Sequence, residues 1–213
     1  MRSLVTVFFL FIGVSTFSQS IDPKFTFNVE LALPVALGNP PFNDIMQGLV
    51  SVSPYAQYTL PFNMHVGAGV KYSYLTINEF AVPSPRYGGM HTGGAYLKLG
   101  WDKFHNDRFA TDLGMKIGYN QNYFQSWVVK GVNVLNVNVG AMFFEPTLGL
   151  ILSANEQNSY RWVIGYGLQT FGFNPTHIGL DEDQGYDLEV YNRPTSYLVV
   201  GFGYTHYFKS DKD

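Results

Sequence analysis

Large apolar residues stand at every second position in several stretches of this chain, and the positions between them are small or polar. The closing stretch 196–208, SYLVVGFGYTHYF, has this alternation, with two glycines on the side opposite its large residues. A period of two residues indicates a β-strand, because successive side chains of a strand point to opposite faces. Eight such stretches predict eight strands, at about 24–37, 49–60, 64–75, 93–103, 109–120, 137–152, 160–171 and 196–208. In the sixth strand the alternation slips near Leu135 and again at Phe143, which predicts β-bulges.

The two faces of these strands have opposite characters. One face is continuously apolar, whereas the other carries mostly Gly, Ser, Thr and Asn with a few charged residues. A soluble β-sandwich would instead cover its second face with many Lys, Glu and Thr side chains. Small residues suit the inside of a narrow closed barrel, and an unbroken apolar exterior suits lipid. The pattern therefore predicts an all-β fold, an eight-stranded antiparallel up-and-down transmembrane β-barrel.

The links between the predicted strands alternate in length. Those at 61–63, 104–108 and 153–159 are short, and those at 38–48, 76–92, 121–136 and 172–195 are long. Outer-membrane barrels have short periplasmic turns and long outer loops. Because the number of strands is even, we expect both chain ends on the periplasmic side. Part of the third long link, VVKGVNV, alternates around a glycine and predicts a protruding hairpin.

Aromatic residues are expected in two belts, because Tyr and Trp favour the two membrane–water interfaces of a barrel. The expected belt at the short-turn end consists of Phe25, Tyr58, Phe62, Trp101, Phe104, Phe109, Tyr160, Trp162 and Phe208. The expected belt at the long-loop end consists of Tyr72, Tyr74, Tyr119, Tyr123, Phe124, Trp127, Phe171 and Phe173.

Composition narrows the partners and the chemistry. Charged residues make up 14% of the 213 residues, well below the roughly 25% of soluble domains. The formal net charge of −3 gives no indication of a nucleic-acid partner. The sequence has no cysteine, which excludes disulfides, thiolate metal sites and a lipidated N-terminal cysteine.

The first 20 residues have the three-part plan of a secretory signal peptide. Arg2 precedes an apolar run from Leu4 to Val14, and small and polar residues follow it. The run is too short for a membrane-spanning helix, which needs about 20 residues. We expect cleavage after Ser18 or Ser20, which leaves residues 21–213 as one outer-membrane β-barrel domain.

The N-terminal segment ending SQS, the eight amphipathic strands and the final strand ending YTHYF resemble the small eight-stranded outer-membrane β-barrel proteins. This broad group resembles the OmpA transmembrane domain and OmpX, and it includes the PorT-like outer-membrane β-barrel families. The resemblance covers the mature chain and depends on architecture and the final strand. It implies that Phe208 is the assembly signal read by the barrel-assembly machinery. The family pattern usually ends at that aromatic residue, whereas this chain continues with KSDKD.

Seven charged residues fall on the face expected to point into the barrel. They are Glu30, Lys71, Lys98, Asp112, Lys116, Glu145 and Arg161. The interior of an eight-stranded barrel is just wide enough for side chains to fill it, and buried opposite charges are paired. We expect a structural salt-bridge plug, with a proton or ion path as the alternative because charges inside a membrane can be functional.

No residue is assigned to catalysis, and no metal or cofactor is expected. Small barrels that resemble this one include lipid A acyltransferases and deacylases, which use a histidine with a serine or an aspartate near the outer surface. His91 with Ser84, or His177 with Asp181, would imitate that arrangement. Neither pair has a matching motif around it. The acidic loop 181–189 has oxygen ligands suited to Ca²⁺ but lacks the EF-hand spacing, so a solvated loop is expected.

The sequence thus predicts a non-enzymatic integral outer-membrane barrel whose outer loops or periplasmic rim contact partners. Expected partners are outer-membrane lipid and lipopolysaccharide, the barrel-assembly machinery during biogenesis, and another envelope protein. Two other functions stay open at this point: a lipid A-modifying enzyme, and a narrow channel for small or hydrophobic solutes.

Overall fold

A computed structural model describes residues 25–82, 86–106, 108–128, 135–181 and 185–208. The predicted signal peptide, Ser84, nearly all of the VVKGVNV segment, Glu182, Asp183 and the KSDKD tail lie outside the described residues. Within the described part, no helix is both long and apolar enough to cross a lipid bilayer.

Eight antiparallel strands close into a barrel, as predicted. The strands are β1 (Phe25–Gly38), β2 (Met46–Thr59), β3 (Met64–Ile77), β4 (Tyr87–Phe104), β5 (Phe109–Trp127), β6 (Leu135–Ser153), β7 (Asn158–Gly172) and β8 (Pro194–Tyr207). Each strand pairs with the next, and β8 pairs back onto β1, which closes the sheet. β4 begins six residues before the predicted strand and β5 ends seven after it, so these strands reach well into the expected long links.

The prediction of β-bulges in β6 is wrong. Its pairing with β5 runs without interruption from Leu152 to Leu135. Phe143 points into the barrel and its neighbour Phe144 points outward, so two adjacent large residues keep the alternation. The interior accepts the Phe143 ring because Gly118 lies beside it, and a Cβ on that glycine would come within 2.6 Å of the ring. The observed register shifts all lie near the long-loop end, in the β1–β8, β2–β3 and β7–β8 pairings.

Short helical segments fill the links. The α-helices are α1 (Pro40–Ile45) and α2 (Leu188–Tyr191), and 3₁₀ turns cover Pro61–Asn63, Glu79–Ala81 and Pro175–Ile178. Asn39 caps α1, since its side-chain oxygen accepts the Phe42 N–H at 3.1 Å. The amide of Asn39 donates to the carbonyls of Val190 and Arg193 at 3.1 and 2.9 Å. The first and fourth long links are therefore held together over the barrel end.

The outward face is apolar, whereas the inward face combines small and polar residues with large apolar ones toward the long-loop end. Leu97 and Phe202, both outward, keep 64% and 71% of their surface exposed, whereas the inward Glu145 is fully buried. Glycines on the inward face make room for long lumen side chains. A Cβ on Gly203 would lie 2.7 Å from Cγ of Arg161, and a Cβ on Gly201 would lie 2.4 Å from Cβ of Ala32, which explains the two glycines of β8.

The aromatic belts are only partly as expected. At the short-turn end, the side chains of Phe25, Trp101 and Tyr160 are exposed on the outer surface. At the long-loop end, Tyr72, Tyr119 and Tyr123 are exposed as well. Phe124, Phe171 and Phe173, assigned to that second belt, are instead buried inside the barrel.

Candidate functional site

The barrel interior holds all seven of the charged residues assigned to it, and each is buried. Lys116 links two of the carboxylates, with its Nζ 2.6 Å from Glu30 Oε2 and 3.1 Å from Glu145 Oε1. Lys71 donates to Glu145 as well, and its Nζ lies 3.2 Å from the Tyr197 hydroxyl. β1, β3, β5 and β6 thus contribute charges to one connected set, and β8 contributes the Tyr197 hydroxyl.

A second set of contacts is centred on Asp112. Its Oδ2 accepts from Lys98 at 2.6 Å and from Arg161 at 2.9 Å. The Tyr55 hydroxyl connects the two sets: it donates to Glu30 at 2.8 Å and accepts from Arg161 at 2.5 Å. Because every carboxylate here has a cationic partner, the Coulomb attraction offsets the cost of burying the charges.

Asp102, His65 and Tyr55 belong to this network, and the sequence reasoning did not assign them to it. His65 Nε2 lies 3.0 Å from Asp112 Oδ1 and 3.8 Å from Asp102 Oδ1. For Asp102 and His65 the sequence carries a signal, since Asp102 continues the inward positions of Lys98 and Gly100, and His65 continues those of Lys71. We call the charged members of this network the ionic layer: Glu30, Lys71, Lys98, Asp102, Asp112, Lys116, Glu145 and Arg161.

The trio of His65, Asp102 and Asp112 has ligand atoms within 4.8 Å of one another, close enough in principle for a metal ion. However, Asp112 already accepts from Lys98 and Arg161, and a divalent cation would lie beside both positive charges. Four carboxylates in the ionic layer face four cations, so the layer is balanced without a metal. The trio therefore fits an extension of the salt-bridge network better than a metal centre.

A layer of apolar side chains lies above the charges, at the long-loop end. We call it the apolar layer: Ala36, Phe42, Ile45, Met46, Leu75, Ile77, Met90, Phe124, Ala141, Phe171, Phe173, Ile178 and Leu180. The ring of Phe173 lies 5.8 Å from the rings of Phe42 and Phe124. Phe42 and Ile45 come from α1, so the link after β1 folds back and covers the strands.

The two layers, together with buried side chains between them such as Asn120 and Asn122 of β5, occupy the lumen from the middle of the barrel to its long-loop end. A cavity of about 20 Å³ lies at the short-turn end, lined by Thr26, Asp102, Arg161 and Tyr207 among others. That volume holds about one water molecule, and Asp102 Oδ1 is a buried acceptor without a hydrogen-bond partner among the described residues. The cavity is of a size to hydrate that carboxylate.

The histidines considered for catalysis have other contacts. His91 faces outward, and its Nδ1 lies 2.8 Å from the Tyr72 hydroxyl. The His177 ring stacks on Phe124 at 5.1 Å, and burial lowers the pKa of this imidazole. Ser84 lies outside the described residues, so the pair of His91 with Ser84 stays untested.

Two further predicted features lie at the barrel rims. In the acidic loop, Asp187 and Glu189 are exposed. Nearby, the Tyr186 hydroxyl donates to Asp44 at 2.8 Å, and partial burial with this bond raises the pKa of Tyr186 to about 12. At the other rim, the Phe208 N–H donates to the Phe25 carbonyl at 3.0 Å, and the two rings lie 5.5 Å apart.

No protein-family model and no curated protein matches the sequence. Among solved structures, the barrel is similar to Neisserial surface protein A, with 12% identity, a TM-score of 0.56, and 86% of this chain and 97% of that one covered. It is also similar to a major outer membrane protein from Thermus thermophilus, with 11% identity and a TM-score of 0.56 over 86% of this chain and 99% of that one.

The chain thus has the fold of the small eight-stranded outer-membrane β-barrels. At these identities the similarity concerns the fold alone. Membership of the PorT-like group stays a prediction.

Proposed function

We propose that this protein is an integral outer-membrane barrel with a closed lumen that acts by contact, through its outer loops or its periplasmic rim. The observation that carries the proposal is the double filling of the lumen by the ionic layer and the apolar layer. Because both layers fill the lumen, the outer loops and the rims of the barrel are left to contact partners.

Several observations support the outer-membrane location. The exposed outward face is apolar along the strands, as lipid contact requires. The similarity to Neisserial surface protein A and to the Thermus protein gives the same architecture. The predicted signal peptide supplies the export route.

Exposed apolar side chains at both rims supply the contact surfaces. Phe80, in the second long link, is completely exposed, and Leu188 in the fourth link is 69% exposed. At the periplasmic rim Phe62 is 84% exposed. Aromatic side chains often anchor protein interfaces, so Phe80 is the first residue to test in the outer loops.

The two alternative functions have less support among the described residues. An open channel would need a path through the paired charges and through the Phe124 and Phe173 rings, which occupy the lumen. A lipid A-modifying enzyme would need a nucleophile or carboxylate aligned with a histidine near the outer surface, whereas the described alignment of His65 with Asp112 is buried inside the barrel. The described contacts of His91 are with Tyr72, Tyr74 and Tyr123.

Fractionation and copurification test this proposal. The wild type should be recovered with outer membranes and show heat-modifiable gel mobility, because a closed barrel resists cold detergent. A protein copurified after solubilisation should be lost from the Phe80→Ser variant and kept by a Tyr166→Ser variant, which changes an exposed mid-strand residue instead. Recovery in the soluble periplasm would contradict the location. A lipid A mass change on deletion of the protein, restored by wild type and not by His91→Ala, would favour the enzyme.

A further inference from the structure

The outer surface of the barrel differs between its two sides at the same height. Leu37 of β1 and Gln121 of β5 lie equally far along their strands from Phe25 and Phe109, the residues with which those strands begin. At about 3.3 Å per residue and a tilt of about 45°, both lie roughly 28 Å above the strand start. That height is just beyond the apolar band of about 25 Å in such barrels. At that height β1 exposes a leucine, whereas β5 exposes an amide.

The polar surface around Gln121 extends across β3, β4, β5 and β6. Strand pairing places Tyr72, Gly93, Gln121 and Gly140 in one outward row. The adjacent row above it is formed by Tyr74, His91, Tyr123 and Asn138. We call these two rows the wall patch. Neither row contains Lys, Arg, Asp or Glu, and both lie on the side where the longest strands rise.

Contacts within the wall patch fix the orientation of its rings. The Tyr72 hydroxyl and His91 Nδ1 are 2.8 Å apart, and the Tyr74 ring lies 4.7 Å from the imidazole. The Tyr123 hydroxyl donates to Asn136 Oδ1 at 2.7 Å. Side chains that are already held in place lose little conformational entropy when they bind a ligand. The patch is therefore preorganised for binding.

The lower row has an open notch. A Cβ built on Gly93 has no atom within 4 Å outside its chain neighbours, so the surface above this glycine is empty. Tyr72 and Gln121 lie on the adjacent strands and His91 on the same strand, and these side chains border the notch. By contrast, the Tyr119 hydroxyl covers Gly140, where a Cβ would approach it to 1.8 Å. The notch at Gly93 is bordered by aromatic, imidazole and amide groups.

We propose that the wall patch binds the sugar headgroup of a neighbouring outer-leaflet glycolipid. This inference rests on the proposed outer-membrane location, because only then do His91, Gln121 and Tyr123, which lie farther from the short-turn ends of their strands than Tyr72, face the headgroup layer. Flat aromatic rings cover the apolar C–H face of a sugar ring, while amide and phenol groups exchange hydrogen bonds with its hydroxyls. The absence of cationic side chains from the two rows points to a neutral sugar, since phosphate recognition relies on Arg and Lys.

The test counts the lipids that the barrel retains. The full mature chain is inserted in bilayer nanodiscs of phosphatidylcholine mixed with digalactosyldiacylglycerol, and retained lipids are identified by native mass spectrometry. A parallel sample replaces the sugar lipid with phosphatidylglycerol. The wild type should enrich the digalactosyl lipid and should not enrich phosphatidylglycerol. Tyr123→Ala should lower the enrichment about fivefold, the factor expected for losing one aromatic contact.

Two variants keep the test specific to the patch. Tyr160→Ala removes an exposed tyrosine at the opposite rim and should leave the enrichment unchanged. Gln121→Leu removes hydrogen bonds and no ring, and it should lower the enrichment even if Tyr123→Ala assembles poorly. No enrichment of the digalactosyl lipid, enrichment of phosphatidylglycerol, or an equal loss in Tyr160→Ala would overturn the inference. An inserted barrel without sugar preference contradicts this inference alone, whereas a chain that fails to insert contradicts the proposed location as well.

Discussion

The middle of the lumen is filled by paired charges that the strands supply, whereas its long-loop end is filled by apolar side chains that the links complete. In the ionic layer, Glu145 contacts Lys71 and Lys116, and all three side chains come from strands. In the apolar layer, Phe42 from α1 and Ile178 from a 3₁₀ turn belong to the same buried cluster as Phe124 of β5. Strand register therefore determines the first layer, whereas the second layer depends on strand register and on the folding of the links.

This difference determines how each layer should respond to damage. A buried ion pair contributes little net stability but becomes very costly when one partner is removed. An apolar contact loses the transfer free energy of the deleted atoms together with a cavity cost that relaxation can reduce. Links can relax more than paired strands, so the ionic layer should be the more sensitive of the two.

The largest effect is expected for Glu145→Ala, which leaves the buried Lys71 and Lys116 without this carboxylate. The free energy of unfolding should fall by about 5 kcal/mol, at the upper end of the cost of breaking a buried pair. Denaturant titration of the barrel in lipid vesicles measures this loss.

A charge-neutral replacement serves as the control for that loss. The double variant Lys71→Met with Glu145→Gln removes one cation and one anion, so it should recover most of the free energy of unfolding. A double variant as unstable as Glu145→Ala would show that packing, rather than unpaired charge, dominates the ionic layer.

A smaller loss is expected for Phe124→Ala in the apolar layer. The side chain is fully buried, and Phe→Ala substitutions in cores cost about 3–5 kcal/mol. We expect a loss of about 3 kcal/mol, at the lower end of that range, because α1 and the turn at Pro175–Ile178 can settle into the space. The same denaturant titration compares the two layers, and a loss larger than that of Glu145→Ala would reverse their order.

Phe208→Ala should act on assembly more than on the stability of the finished barrel. The ring contacts Phe25 at 5.5 Å, and an aromatic pair contributes about 0.5–1.5 kcal/mol beyond its buried area. The amount of heat-modifiable protein in outer membranes should fall, with Phe202→Ala, an exposed residue of the same strand, as the control. Equal levels of wild type and Phe208→Ala would show that the assembly signal lies elsewhere.

The smallest expected effect is a dependence on pH of the stability of the link that contains His177, beside the apolar layer. Burial lowers the pKa of His177 below its usual value of 6.5, so the unfolded link binds a proton more readily than the folded one. The folded link should therefore lose stability as the pH falls below about 6.5, and regain it as the pH rises. Hydrogen exchange at Gly179 and Leu180, corrected for intrinsic rates, should report this opening. A His177→Phe variant should lack the dependence, and an identical dependence in both proteins would exclude His177 as its source.

The alternation of residues predicted the barrel and the inward position of seven charges, because each strand has a fixed period of two. It does not identify Asp102 and His65 as lumen residues because each lies one residue from an end of a predicted strand, where the alternation does not distinguish the lumen from the rim. The expected belt includes Phe124 because the alternation predicts that the fifth strand ends at about residue 120. Extending the alternation through Asn120 and Asn122 puts Phe124 inside, as the structure shows. Phe173 lies after the end of β7, so the position of its side chain depends on how the fourth link folds. The alternation of a strand does not predict the fold of a link.

Electrical recording in planar bilayers tests the central claim, that the two layers close the lumen. Purified wild-type barrel should insert, as shown by its heat-modifiable form, and produce no steady conductance, while a known porin conducts under the same conditions. A well-resolved single-channel current from the wild type would contradict the closed lumen and favour the channel function.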